Sequence, residues 1–180
     1  ATPVKYMFVS APGLTSNTGR VYMYEWGVGA DGSTYDTWTQ CLTIDSGVAG
    51  TNKKFGQALE ANDNGDILVV RSKAPGQAGM VEIFVRTSQS TDDSVQHSFT
   101  LVQTLTGTSN DGSSLNRGFG TSLAMSKDGT ILIVGAPGAD TTEAVDAGKI
   151  YYYKWNADGS TNTYTLQQTI ESPDNQVNMR

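Results

Sequence analysis

One pattern occurs three times along this chain of 180 residues. The triplet Ala-Pro-Gly begins at Ala11, Ala74 and Ala136, at intervals of 63 and 62 residues. Phe-Gly stands at Phe55 and at Phe119, 64 residues apart. A Gln-x-(Leu/Ile) step closes each unit, with Gln40 and Leu42, Gln103 and Leu105, and Gln168 and Ile170. Self-similarity at a fixed period implies a repeat architecture, in which each unit buries its core only against its neighbours. Such folds display surfaces more often than they enclose deep pockets.

The third repeat is the clearest. After Gly118-Phe119-Gly120, apolar Leu123 and Met125 alternate with Ser122 and Ala124, which predicts a strand. Asp128-Gly129 between apolar runs is a hairpin turn. The run from Ile131 to Val134 suits a strand covered on both faces. Gly135-Ala136-Pro137-Gly138 ends it, and a variable loop follows. Strands are then predicted from Gly148 to Trp155 and from Tyr164 to Ile170. The second repeat gives the same order: Phe55 to Ala61, Ile67 to Val70, Gly79 to Arg86 and Phe99 to Leu105. In the first, Tyr6 to Val9 aligns with Ile131 to Val134, so its opening strand is missing. Gly19 to Trp26 and Trp38 to Ile44 supply the rest.

Four hairpin-joined strands repeated at this period describe a β-propeller blade. The expected fold is all-β: a propeller fragment of about three four-stranded antiparallel blades, the first incomplete. Blade 1 spans 1–49, blade 2 spans 50–112 and blade 3 spans 113–172, with 173–180 leading toward a next blade. Aromatic residues recur in the third strand of each blade, as Tyr22, Tyr24, Phe84, Tyr151 and Tyr153, and are read as blade-to-blade packing rather than a carbohydrate platform.

Composition narrows the function. Twenty glycines and 17% charged residues fit a turn-rich β protein. The net charge is −6, and twelve scattered Lys and Arg residues form no basic stripe, so no nucleic-acid partner is expected. No apolar run reaches membrane-spanning length, so no membrane insertion is expected. The single cysteine, Cys41, falls in the slot that the Gln steps assign to Thr104 and Thr169, and is read as a small strand residue. The single histidine, His97, sits in the polar connection TSQSTDDSVQHSFT and is read as a solvated loop or strand-end residue.

Phe-Gly-x-Ser-Leu-Ala-x-Ser-x-Asp-Gly, then Leu-x-Val-Gly-Ala-Pro, then Gly-x-(Val/Ile)-Tyr-x-Tyr resembles the FG-GAP repeat, which builds the propeller of integrin α-subunits and related surface proteins. Phe119-Gly120 with Gly135-Ala136-Pro137 is one copy, Phe55-Gly56 with Ala74-Pro75 the second, and Ser10-Ala11-Pro12 marks the third. The resemblance implies a calcium loop in the first hairpin of a blade. Here the last aspartate slot holds Ile131, or Ile67 in the second repeat, and the turn from Lys127 to Thr130 is too short to wrap an ion. No cofactor is therefore expected, calcium being the one possibility such a degenerate loop leaves open.

The resemblance implies a non-enzymatic, extracellular or surface-exposed module for adhesion, ligand binding or assembly. Its partners would be a protein or glycan on a surface, further blades of the same parent chain, or other copies of itself. Three blades are fewer than the four to eight of a closed propeller, so the chain is expected to be part of a longer one or to close a ring with copies. The expected binding surface is the rim of loops after each Ala-Pro-Gly, with Thr15, Asn17, Gln77, Asp140, Thr141, Thr142, Glu143 and Asp146 as candidates. The alternatives are a polysaccharide-acting propeller enzyme and a virion fibre or receptor-binding protein. An enzyme would need paired carboxylates. Glu60 and Glu82 are the candidates, although a position on a surface edge explains both without catalysis.

Overall fold

A computed structural model describes residues 5–27, 37–73, 79–91, 94–107, 118–141, 144, 146–157 and 162–172. The strands are β1 (Tyr6–Ser10), β2 (Val21–Trp26), β3 (Trp38–Ile44), β4 (Leu59–Ala61), β5 (Ile67–Ser72), β6 (Met80–Thr91), β7 (Ser94–Thr106), β8 (Ser122–Met125), β9 (Ile131–Ala136), β10 (Lys149–Ala157) and β11 (Asn162–Glu171). They form three antiparallel meanders, β1-β2-β3, β4-β5-β6-β7 and β8-β9-β10-β11. The described residues form an all-β, propeller-like set of blades that is not closed. Among the described residues, the first sheet has no strand corresponding to β4 or β8.

Side chains at the mouth of each inner hairpin close the turn. Asn62 Oδ1 accepts the backbone N–H groups of Asp66 and Ile67, at 2.8 and 3.0 Å. Ser126 Oγ takes the same place in the third sheet, accepting from Ile131 N–H at 2.9 Å. Short polar side chains serve here because they reach backbone groups a few residues away.

The second sheet is the filling of a sandwich. Leu68, Val70 and Phe84 face the first sheet, in a core with Val21, Ile44 and Phe55. Ile67, Val69, Val81 and Ile83 face the third, in a core with Phe119, Leu132, Val134, Tyr151 and Tyr153. This explains why Ile67 to Val70 is apolar without alternation: every one of these side chains is buried. The same run in the third sheet is covered on one face only, where Leu132 and Val134 are buried but Ile131 is exposed. The aromatic residues of β10 do pack as core, with Tyr151 fully buried and Tyr153 nearly so.

Three expectations need correction. First, Phe55 is not in a strand. It makes an isolated parallel bridge to Gly19 of the preceding sheet, its N–H donating to Thr18 O at 3.0 Å. Phe119 reaches back in the same way to Gly79. Both phenylalanines are fully buried, and each plugs the seam between two sheets. Gly19 and Gly79 have φ of 80° and 148°, and a Cβ on either would collide with the backbone of the incoming phenylalanine.

Second, the Gln steps misalign the first repeat by two residues. Opposite Tyr22, Glu82 and Tyr151 stand Thr43, Thr104 and Thr169. Each outer pair carries a bulge at one slot, and the extra residue is Cys41, Val102 or Gln167. Cys41 therefore corresponds to Val102 and Gln167, not to Thr104 and Thr169.

Third, the polar connection before Phe99 is largely strand: Thr87 to Thr91 pair with Ser98 to Ser94. His97 lies within β7 and is not solvated, its side chain being 5% exposed. Its Nε2 is 2.5 Å from Glu25 Oε1 on the first sheet, and its ring meets Tyr6 edge-on. Arg86 contacts Nδ1 at 3.4 Å. Arginine only donates, so Nδ1 accepts and Nε2 carries the proton that Glu25 accepts.

Candidate functional site

The chain leaves β1 through Ala11-Pro12-Gly13 and turns sharply at Leu14–Asn17 before entering β2. Thr15, Ser16 and Asn17 have φ of 49°, 56° and 63°. Three consecutive non-glycine residues in the left-handed region are unusual, most of all for β-branched Thr15. The turn is tied by Thr18, whose hydroxyl donates to Thr15 O at 2.9 Å, and by Asn17, whose amide donates to Asn52 Oδ1 at 3.4 Å.

Beside this turn lies a cleft of about 270 Å³. Thr15, Thr18, Arg20, Asp45, Ser46 and Lys53 contribute its polar groups. Arg20 grips Asp45 with two hydrogen bonds, 2.7 and 3.0 Å long. On the third sheet, Lys149 and Glu171 occupy the same two slots and form an ion pair of 3.0 Å. Of the cleft residues, Thr15 alone is among those expected from sequence. The recurring basic and acidic residues at the start of the third strand and the end of the fourth were a usable signal for Arg20 and Asp45.

The other rim residues form a separate patch. Asp140 Oδ1 accepts the Asp146 N–H at 2.8 Å, and Thr141 pairs with Ala144 through backbone and hydroxyl. Asn17 and Thr15 thus belong to the rim of the first sheet, and Asp140, Thr141 and Asp146 to that of the third. Gln77, Thr142 and Glu143 lie outside the described residues.

Glu82 is not at a surface edge. It is fully buried where its counterparts are tyrosines. Its carboxylate accepts from Ser72 Oγ at 2.6 Å, from Gly47 N–H at 2.9 Å and from Ser46 Oγ. Lys53, also buried, donates to Ser46 Oγ at 3.3 Å. Burial pushes the Lys53 pKa down, against the pull of Glu82. A buried carboxyl group needs such partners, and this one is spent on joining the first sheet to the second. It has no path to a glycan. Glu60 is half-buried on β4, where desolvation raises its pKa.

At the calcium-loop position, Asp128 Oδ1 accepts from the hydroxyls of Ser126 and Thr130, at 2.6 and 2.8 Å, and from Thr130 N–H at 3.0 Å. Among the described residues, no three His, Cys, Asp or Glu side chains are placed to hold a metal ion. None of the described helices is long and apolar enough to cross a membrane.

Residues 99–153 match the family model described as the FG-GAP repeat. That span runs from within β7 through Phe119 into β10. No curated protein matches the chain.

Proposed function

The chain carries an FG-GAP repeat, and from that premise we propose that it is a non-enzymatic, surface-exposed β-propeller module that binds a protein or glycan through its rim. The observation that carries this reading is the rim turn Leu14–Asn17 with its polar cleft. Left-handed backbone at non-glycine positions costs on the order of 1 kcal/mol or more per residue and persists only where surrounding structure imposes it. Here it holds Thr15 against the cleft and ties the Asn17 amide to Asn52. Recognition residues are disproportionately carried on loops of this kind. The reading places the module outside the cell or on a virion surface.

The test is binding of the 180-residue chain to arrayed glycans and cell-surface proteins, repeated with Asn17→Ala and Asp45→Ala. At least tenfold weaker binding in either variant supports the rim. A ligand held equally well by both variants overturns it, and so does turnover of a glycan.

A further inference from the structure

The third sheet repeats a docking surface that the first two sheets have already filled. In the register of the sheets, Gly19, Gly79 and Gly148 share one slot; Val21, Val81 and Ile150 a second; and Ile44, Leu105 and Ile170 a third. On the first sheet this surface receives Phe55-Gly56, and on the second it receives Phe119-Gly120. Beneath those segments the apolar slots are closed: Val21 is 0% exposed and Ile44 5%, Val81 0% and Leu105 8%. On the third sheet, Ile150 is 44% exposed and Ile170 45%. They line an open cavity of about 380 Å³ together with Gly148, Gly135, Pro137 and Ser122.

The details match as well as the outline. Gly56 lies against Ser10, and Gly120 against Arg71. The residue in their slot on the third sheet is Gly135, which lines the cavity. Gly148 keeps a positive φ of 91°, as Gly19 and Gly79 do, and its nearest neighbour there is the Pro137 carbonyl of its own sheet, 3.2 Å from where a Cβ would stand. The ion pair Lys149–Glu171 borders the cavity as Arg20–Asp45 borders the filled surface of the first sheet.

We infer that the open face of the third sheet, centred on Gly148, Ile150 and Ile170, is a receptor for a Phe-Gly segment presented by a partner repeat unit. The phenylalanine ring enters the cavity and covers both isoleucines. The glycine after it turns the chain away over Gly135. The inference is independent of the rim reading, because it uses the face of the sheet and none of the rim turn Leu14–Asn17.

The probe is the peptide Arg-Gly-Phe-Gly-Thr-Ser-Leu, the chain's own sequence at 117–123. It is titrated into the full chain while the isoleucine methyl NMR signals are followed. Saturable shifts at Ile150 and Ile170 are expected. The peptide with alanine in place of phenylalanine should bind at least tenfold more weakly, as should the wild-type peptide to an Ile170→Lys chain, whose exposed site leaves the fold intact. Equal binding of the two peptides, or no shift at millimolar peptide, overturns the inference. So does concentration-dependent self-association that moves these methyls without peptide, since the occupant would then be a second copy.

Discussion

Ser46 and Glu82 tie two sheets together: the serine hydroxyl lies 2.8 and 3.0 Å from the two carboxylate oxygens of the buried glutamate. Ser46 follows the outer strand of the first sheet, and Glu82 is in the third strand of the second. The seam between blades is therefore apolar where Phe55 sits and polar beside it.

Removing Glu82 takes the acceptor from the Ser72 hydroxyl and the Gly47 N–H and the nearby negative charge from Lys53, in a buried seam. Truncating one partner of such a network costs about 3 kcal/mol or more. Glu82→Ala should lose about that much stability in urea unfolding, and Glu82→Gln less, because the amide oxygen still accepts. An unchanged midpoint for Glu82→Ala would contradict the role assigned here.

The phenylalanine plugs are the apolar half of the seam. Phe119→Ala should destabilise by about 3 to 5 kcal/mol, as for other buried aromatic residues. Gly79→Ala should also destabilise, since its methyl would strike the Phe119 backbone carbonyl. Because that collision is with backbone, combining it with Phe119→Ala should give no rescue. Rescue in the double variant would show that the ring, not the backbone, sets the approach.

Asp128 titrates far below an ordinary aspartate. Hydrogen bonds from Ser126 and then Thr130 pull its pKa down to about 2. A depressed carboxyl pKa adds stability above the unfolded value near 3.8, and that stability is lost as pH falls toward 2. Carbon-detected NMR should place the Asp128 midpoint near 2. Asp128→Ala should flatten the fall in stability across that window. A midpoint near 4 would show that the turn does not engage the carboxylate.

Cys41 should be a sluggish thiol. Although the residue is exposed, desolvation first, and the Glu25 carboxylate second, raise its pKa to about 11. Its sulfur donates to Met23 O at 3.4 Å. The thiolate is the reactive form, so alkylation by iodoacetamide should be slow at pH 8 and accelerate toward pH 11. Fast labelling at neutral pH would count against that setting.

The turn at Asp128 spends its carboxylate on its own loop, and Ile131 and Ile67 stand where a further aspartate would be needed. Adding calcium, or removing it with a chelator, should leave the thermal midpoint unchanged. A rise of several degrees with calcium would reveal an ion site.

Strand order and the inner turns were legible in the sequence, because each follows from local chemistry. Alternation marks Leu123 and Met125, and Asp-Gly marks the hairpin. Of the recurring aromatic positions, Phe84, Tyr151 and Tyr153 are buried in the core, and Tyr22 and Tyr24 are half-buried. The register of the outer strand was not legible. Side chains in a strand alternate with a period of two, so sliding Gln40 onto Gln103 shifts the alignment by two residues and leaves every face unchanged. Pairing across β2 and β3, with Cys41 bulged out, decides it. The fates of Phe55, Glu82 and His97 likewise depend on partners in a neighbouring sheet. Phe-Gly reads locally as the start of a strand, and becomes a plug because Gly19 and Gly79 let its backbone approach. Glu82 reads as a misplaced charge, and becomes a lock because Ser46, Gly47 and Ser72 converge on it from two sheets. Sequence pattern thus determined each blade, and only the tertiary structure decided how the blades hold one another, because those contacts join residues that no local period connects.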